Sequence, residues 1–309
     1  MEIIKGIENL REPFKNPVVT LGNFDGIHLG HQRIFKKVIE VAQRMEGESV
    51  VITFEPHPLK ILSPEDCPPL LTPFRKKMMW MEKTGIEKVL CLQFTKAFSE
   101  MSPSEFVKRI LLEKIGAKRI IIGYNYRFGK GKSGTVESLK EICSTYGIEV
   151  EVVEALVVDQ IPVSSSKIRE LIREGEVEKA SKLLGRDYLV IGQVIHGTHR
   201  GHDLGFPTAN LEMTEELYPK AGVYAVRVEW NHQRFNGLAN LGFNPTFDGN
   251  TFTMEVHILN FNYQIYGDEI QVSFVKRIRD EIRFQSLQDL IDQIQWDIEW
   301  ATRNVFPDQ

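Results

Sequence analysis

Cysteine is scarce in this chain. Its 309 residues include three, Cys67, Cys91 and Cys143. They are too few and too scattered for a disulfide framework or a zinc cage. A reducing cytoplasm is the expected compartment. An excess of basic charge is also missing: 38 Lys and Arg against 42 Asp and Glu leave a net charge of −4. That argues against a general nucleic-acid binder. No stretch reaches the roughly 20 apolar residues of a membrane span. The opening MEIIKGIENL has neither a long apolar core nor a cleavage signal. No internal repeat and no low-complexity linker is visible. The expectation is a soluble, cytoplasmic protein with no nucleic-acid and no membrane partner. The rest is ordinary for a globular chain, at 42% hydrophobic and 26% charged. The length allows two cores.

The first half alternates between strand and helix patterns. NPVVTLGNF, SVVITFEPHP, EKVLCLQF, KRIIIGYNYRFG and IEVEVVEAL are β-branched or apolar runs bounded by Gly, Pro and Asn, and read as strands. Between them, HQRIFKKVIEVAQRMEG places Ile34, Phe35, Val38, Val41, Ala42 and Met45 on one helical face. FRKKMMWMEKTG, SPSEFVKRILLEKIG and TVESLKEICSTYG also read as helices, the second capped by Ser102 with Pro103 at its first position. Such alternation implies a parallel sheet with right-handed crossovers. Near residue 185 the pattern changes to short alternating runs separated by Gly, Asn and Asp turns, which suggests antiparallel sheet closed into a barrel. The tail SLQDLIDQIQWDIEWATRNVF is helical again, with Leu287, Leu290, Ile291, Ile294 and Ile298 on one face. Two domains are expected, 1–185 and 186–309.

GNFDGIHLGHQ, residues 22 to 32, follows the first strong strand and opens a helix. Ligands of open parallel sheets bind beyond the carboxyl ends of the strands, and a helix N-terminus offers unpaired N–H groups and a positive dipole end. Three readings of His28 and His31 compete there: a metal site with Asp25 as third ligand, a phosphate site, and a polar turn. No HExxH or cysteine pair supports the metal. The strand-to-helix context and the glycines favour phosphate. Later, VSSSKIRELI presents hydroxyls at Ser164, Ser165 and Ser166 before a helix, then Lys167 and Arg169. GKGKSG, residues 129 to 134, matches GxGxxG but lies in the fourth strand–helix unit, so a nucleotide-contacting loop is preferred to a separate dinucleotide site.

In the second half, HGTHRGHDLGFPTANL spaces His196, His199 and His202 among glycines. A loop over phosphates with Arg200 as its cation is preferred to a metal site. Thr208 and Asn210, two apart, would share one strand face and offer hard oxygens. MEVHILNF carries one acid, Glu255.

These motifs form a recognisable set. GNFDGIHLGH resembles the HxGH signature of nucleotidylyltransferases, and VSSSKIRELI is similar to the second element of that superfamily as bacterial FAD synthetases carry it. GFPTAN matches the PTAN motif of riboflavin kinases, and MEVHILNF resembles their E-V-H-x-L-x-F segment. The likeness runs from about residue 18 to about residue 300. It implies a bacterial bifunctional riboflavin kinase and FMN adenylyltransferase: an α/β, Rossmann-like nucleotidylyltransferase domain, then an antiparallel β-barrel kinase domain with a C-terminal helix. It implies His28 and His31 in adenylyl transfer and Glu255 as the kinase base. ATP would meet Gly22, Phe24, Asp25, Gly30, Asn125, Ser164, Ser165, Ser166, Lys167 and Arg169 in the first domain, and Arg200 and Gly201 in the second. Flavin would meet Pro56, His57, Pro58 and Arg279, and Mg²⁺ would meet Thr208 and Asn210.

Four departures from the family pattern stand out: Ser166 for threonine, Asn125 for aspartate, His202 for arginine and GFNPTF, with Asn244, for a more basic version. The partners implied are riboflavin, FMN, FAD and ATP, with flavoproteins as conceivable clients. Oligomerisation is compatible with all of this and is not written in the sequence. Two rival functions fit parts of the set: an adenylyltransferase for another phosphate with a barrel that only binds, and a non-enzymatic flavin sensor.

Overall fold

The computed structural model describes residues 1–197, 205–246 and 249–307, with backbone alone at 244–246 and 249–251. It divides into two compact units, Met1–Ser165 and Ser166–Gln309.

The first unit is built on a six-stranded sheet: β1 (Glu2–Lys5), β2 (Val18–Leu21), β3 (Ser49–Glu55), β4 (Lys88–Gln93), β5 (Arg119–Gly123) and β6 (Glu149–Val153), ordered β1-β4-β3-β2-β5-β6. Every pairing in it is parallel. Parallel sheets are covered on both faces, and the side-chain alternation shows it here. Val19, Leu21, Val50, Ile52 and Ile120 belong to one core, and their neighbours Val18, Val51 and Ile121 to the other. Helix α1 (Leu29–Arg44) buries Ile34, Phe35, Val38, Val41 and Ala42, while Met45 caps it outside that buried set. Next come α2 (Pro58–Leu62), α3 (Phe74–Glu82) and α4 (Lys96–Ser99). They are followed by α5 (Pro103–Glu105) and α6 (Val136–Ser144).

Two elements differ from the sequence reading. β1 is an added edge strand on β4, four residues long and mostly exposed. It is therefore too short and too polar to announce itself by periodicity. The helix after Ser102 starts as expected, with a capping box to Glu105, but Phe106–Lys114 is wound as a π-helix. Ile115 N–H donates to Ile110 O at 3.0 Å, five residues back. The strand after Lys118 stops at Gly123, so YNYRFG is loop. A small hairpin, β7 (Val157–Val158) and β8 (Ile161–Pro162), precedes α7.

The second unit contains α7 (Ser165–Glu174, starting on the last residue of the first unit) and α8 (Val177–Leu184), ended by Gly185 at φ 74. The strands are β9 (Tyr188–Ile195), β10 (Ala209–Leu211), β11 (Gly222–Trp230), β12 (Gln233–Thr246), β13 (Gly249–Ile258) and β14 (Glu269–Arg279). They close as an antiparallel barrel in the order β10-β13-β12-β11-β14-β9, with β9 returning to β10. The C-terminal helix α9 (Leu287–Asn304) packs Ala301 with Ala225, Leu238 and Phe306.

The buried stripe of α9 is not the expected aliphatic one. Leu287 is 61% exposed, whereas Asp297 is buried. The reason is an ion pair: Arg279 on β14 meets both Asp297 oxygens, its Nε at 3.0 Å from each, and Gln293 donates to the same carboxylate. Removing one partner of such a pair leaves a desolvated charge. Asp297→Ala is therefore expected to destabilise the second unit by about 3 kcal/mol, read as a lowered unfolding midpoint. A change under 1 kcal/mol would mean Arg279 finds water instead.

Candidate functional sites

In the first unit the turn from β2 into α1 is tightly determined. Phe24 and Ile27 both have positive φ, 49° and 41°. That conformation is costly for bulky and β-branched residues and clusters at functional sites. His28 is the N-cap: its Nδ1 accepts from His31 N–H at 3.3 Å. A neutral ring with Nδ1 accepting carries its proton on Nε2. His31 stacks on His28 with centroids 3.5 Å apart, and Phe24 meets His31 edge-on at 5.2 Å. A Cβ on Gly30 would touch the His28 ring at 3.2 Å, so glycine gives the imidazole its seat. The histidines thus form one stacked pair at a helix mouth. Among the described residues no group of three His, Cys, Asp or Glu is placed to hold a metal.

Of the other expected residues, Asp25, Ser165 and His57 bond at or beside this turn. The Asp25 carboxylate accepts from Leu71 N–H, Thr72 N–H and the Thr72 hydroxyl at 2.9–3.1 Å, which pins the 70–72 loop. Ser165 donates to Asp25 O at 2.8 Å, so the serine run reaches the first motif. Ser164 lies just before α7; Ser166 is exposed on its first turn. Lys167 pairs with Glu170 at 2.5 Å, and Arg169 is buried. His57 caps α2 and bonds the Asn23 amide at 3.1 Å, between Pro56 and Pro58.

One participant was missed. Lys77 on α3 is buried; desolvation pushes its ammonium below the ordinary lysine range, while Asp25 and Glu55 act in the opposite sense. A lysine in a charged helix reads as surface, and nothing in its neighbours says otherwise.

Beside the turn lies a cavity of about 830 Å³. Gly22, Asn23 and Asn125 are at its polar side; Phe54, Phe94, Phe98, Phe106, Tyr126 and Phe128 supply its aromatic lining. Successive rings meet edge-on or tilted from Phe94 through Phe98 and Phe106 to Phe128. The π-wound segment begins at Phe106, and π turns are frequent at functional sites. GKGKSG edges the same cavity as a loop closed by two bonds between Phe128 and Gly134; a single 3₁₀ turn, Lys130–Lys132, follows Gly129, and the next α-helix starts at Val136. Lys130 there pairs with Glu100 at 2.5 Å.

In the second unit the register sets the site. Asn210 on β10 lies directly opposite Glu255 on β13, and Asn240 on β12 lies opposite Glu255 from the other side. Directly opposed residues share a face with Cβ atoms about 5 Å apart. Their strand neighbours Leu211, Ala239, Leu241, Met254 and Val256 are buried, so the row Asn210–Glu255–Asn240 faces away from the barrel core. Asn240 was missed because register is not visible in sequence.

Thr208 falls just before β10 rather than within it, so its face is not set by the strand. It lines a second cavity, about 330 Å³, with Pro207, Val256, Tyr263 and Tyr266. His257, two residues beyond Glu255, bonds Pro207 O through Nδ1 at 2.9 Å and so fixes the PTAN segment. With a carbonyl as partner, that nitrogen is the donor. A Cβ on Gly197 would run into the Asn210 amide. His196 is exposed and stacks on Tyr266 at 4.1 Å. Arg200, Gly201, His199 and His202 lie outside the described residues, as does the side chain of Asn244. Arg279 pairs with Asp297.

Comparison with known proteins gives a consistent result. A family profile described as FAD synthetase matches residues 11–167, and one described as riboflavin kinase matches residues 184–305. A bifunctional riboflavin kinase/FMN adenylyltransferase of Buchnera aphidicola subsp. Schizaphis graminum is 38% identical, with 97% of each chain covered. The protein of that name from Escherichia coli K12 is 33% identical, covering 99% of this chain and 98% of its own. A crystal structure described as a macrolide-efflux protein from Streptococcus pneumoniae superposes with a TM-score of 0.90 at 35% identity, covering 98% of this chain and 99% of that one. Among the described residues here, no helix is long and apolar enough to cross a membrane.

Proposed function

The chain belongs to the bifunctional riboflavin kinase/FMN adenylyltransferase family, and from that premise we propose how its residues divide the work. The enzyme phosphorylates riboflavin to FMN with ATP, then adenylylates FMN with a second ATP, giving FAD and pyrophosphate.

For the kinase step, Glu255 takes the proton of the riboflavin primary hydroxyl as that oxygen attacks the γ-phosphorus of ATP. The bond to the β-phosphate oxygen breaks and ADP leaves. The hydroxyl of Thr208 and the amide oxygen of Asn210 are hard donors of the kind Mg²⁺ prefers, and they would hold it near Glu255. Bound there, the ion would neutralise phosphate charge. Asn240 flanks Glu255 and positions it. Arg200 and Gly201 are assigned to the ATP phosphates, and Arg279 to the flavin side.

For the adenylyl step, an FMN phosphate oxygen attacks the α-phosphorus and pyrophosphate leaves. The nucleophile is already an anion, so no strong base is needed and positioning carries the rate. His28 and His31 donate to oxygens that gain charge. Gly22, Phe24, Asp25, Gly30, Asn125, Ser164, Ser165, Ser166, Lys167 and Arg169 hold ATP. The aromatic cavity beside Pro56, His57 and Pro58 takes the isoalloxazine ring, whose flat apolar area suits a wall of phenylalanines. The observation that carries this reading is the stacked His28–His31 pair at the mouth of α1, next to that cavity. We place the enzyme in the cytoplasm, where its three cysteine thiols, none in a disulfide, stay reduced, with flavoproteins as recipients of its product.

We further propose that residues 186–309 carry the kinase chemistry alone. The test is a product assay with riboflavin, ATP and Mg²⁺. The full chain should yield FMN and then FAD, and a fragment of 186–309 FMN only. Because α8 buries Val177, Ala180, Leu183 and Leu184 and contacts β9 and β14, a fragment beginning at 166 should melt higher than one beginning at 186. FAD from FMN without FMN from riboflavin would reduce the barrel to a binding module. Flavin binding with neither product would make the chain a sensor.

A further inference from the structure

The aromatic cavity of the first unit contains one feature its packing does not require. Its other lining rings are phenylalanines, whereas Tyr126 carries a hydroxyl. The Tyr126 ring lies parallel to Phe128, with centroids 5.7 Å apart and planes 11° from parallel, and packs against the same core as Phe106 and Phe128. A phenylalanine would make those contacts equally well. The hydroxyl makes no hydrogen bond to any described residue. Burial alone pushes the phenol upward from its ordinary value, so it remains an O–H donor throughout the physiological range. Tyr126 is half-buried and lines the cavity, and its oxygen is not among the described buried atoms that lack a partner, so the hydroxyl is open to an acceptor that a ligand brings into the cavity.

The isoalloxazine ring brings such an acceptor. One edge is a dimethylbenzene, matched to phenylalanine; the other is a pyrimidine with two carbonyl oxygens. We propose that Tyr126 is a specificity-determining residue of adenylyl transfer, donating its O–H to a carbonyl of the flavin pyrimidine edge. This rests on the reading that the cavity takes the flavin. Tyr126 touches the substrate but not the reacting phosphorus, so it acts on FMN affinity rather than on the chemical step. A site built to donate to a substrate oxygen also discriminates against flat apolar molecules that lack one.

The test is Tyr126→Phe in the full chain, with steady-state FAD formation followed against FMN and against ATP. Losing one neutral hydrogen bond should raise KM for FMN about 3- to 10-fold. The turnover number, the KM for ATP, the melting temperature and riboflavin phosphorylation should stay at wild-type values. A merely structural hydroxyl would not move KM for one substrate alone. An unchanged KM for FMN, or a rise in KM for ATP instead, overturns the proposal. Phe98→Leu serves as companion, since it removes ring surface from the same wall. If it raises KM for FMN while Tyr126→Phe does not, only the role of Tyr126 falls. If neither variant moves that KM, the flavin reading of the cavity falls and takes the proposal with it.

Discussion

Glu255→Gln is expected to lower FMN formation by about 100-fold or more while ATP binding persists. Glutamine keeps the shape and one oxygen but cannot take a proton. The substitution therefore removes the general base without emptying the space between Asn210 and Asn240. The strand register makes the test sharp. Glu255 is flanked by two amides, and none of the residues directly opposite it is a second carboxylate to substitute for it. FAD formation from added FMN should be untouched. Near-normal riboflavin phosphorylation in this variant would remove Glu255 from the mechanism and leave positioning by the PTAN segment as the main source of rate.

The second large effect concerns the stacked imidazoles. His28→Ala and His31→Ala should each slow the FMN-to-FAD step about 10²- to 10³-fold, the usual loss for one donor aimed at developing charge. Riboflavin phosphorylation should continue, so FMN accumulates. The two variants should differ in a second readout. His28 also caps α1, and loss of an N-cap costs about 1 kcal/mol, so His28→Ala should melt lower than His31→Ala. Metal analysis belongs beside the assay. Zinc at one per chain, lost in both variants and restoring activity on addition, would replace the phosphate reading with a metal site. Loss of FMN production in either variant would sink the assignment of these histidines to the adenylyl step.

Much of this architecture was legible because the chain keeps its periods clean. Val18–Leu21 and Ser49–Ile52 are buried throughout and mostly β-branched, as suits central parallel strands. Ile34 to Ala42 mark a single helical face of α1. The change to short alternating runs near residue 185 announced the barrel. The failures have a common physical origin: each depends on a partner distant in sequence. Asp297 is buried because Arg279 meets it, and no helical wheel contains Arg279. Asn240 matters because of register, which is set by strands that pair only once folded. Lys77 is internal because the turn after β2 and the end of β3 bring Asp25 and Glu55 within its field. The aromatic cavity gathers rings from β3, the end of β4, α4, the π-wound segment and the loop after β5. Each ring alone reads as an ordinary core residue. The turn of GNFDGIHLGH was legible because its geometry depends on neighbours in sequence, whereas the shared strand face expected for Thr208 and Asn210 was not, since β10 begins only at Ala209.

The widened turns of Phe106–Lys114 bear on how this family can change in length. A π-helix accommodates more residues per turn than an α-helix, so the segment acts as a store for an inserted residue that the rest of the unit never registers. Deleting one exposed residue there, Lys108 for example, should let the helix relax to α and keep Ser102 and Lys118 anchored. The sheet order and the β5 register would survive, while Phe106 would rotate relative to Phe98 and Phe128. Single-residue insertions and deletions at this point are then a route by which descendants of one enzyme could reshape the aromatic wall without rebuilding the sheet beneath it.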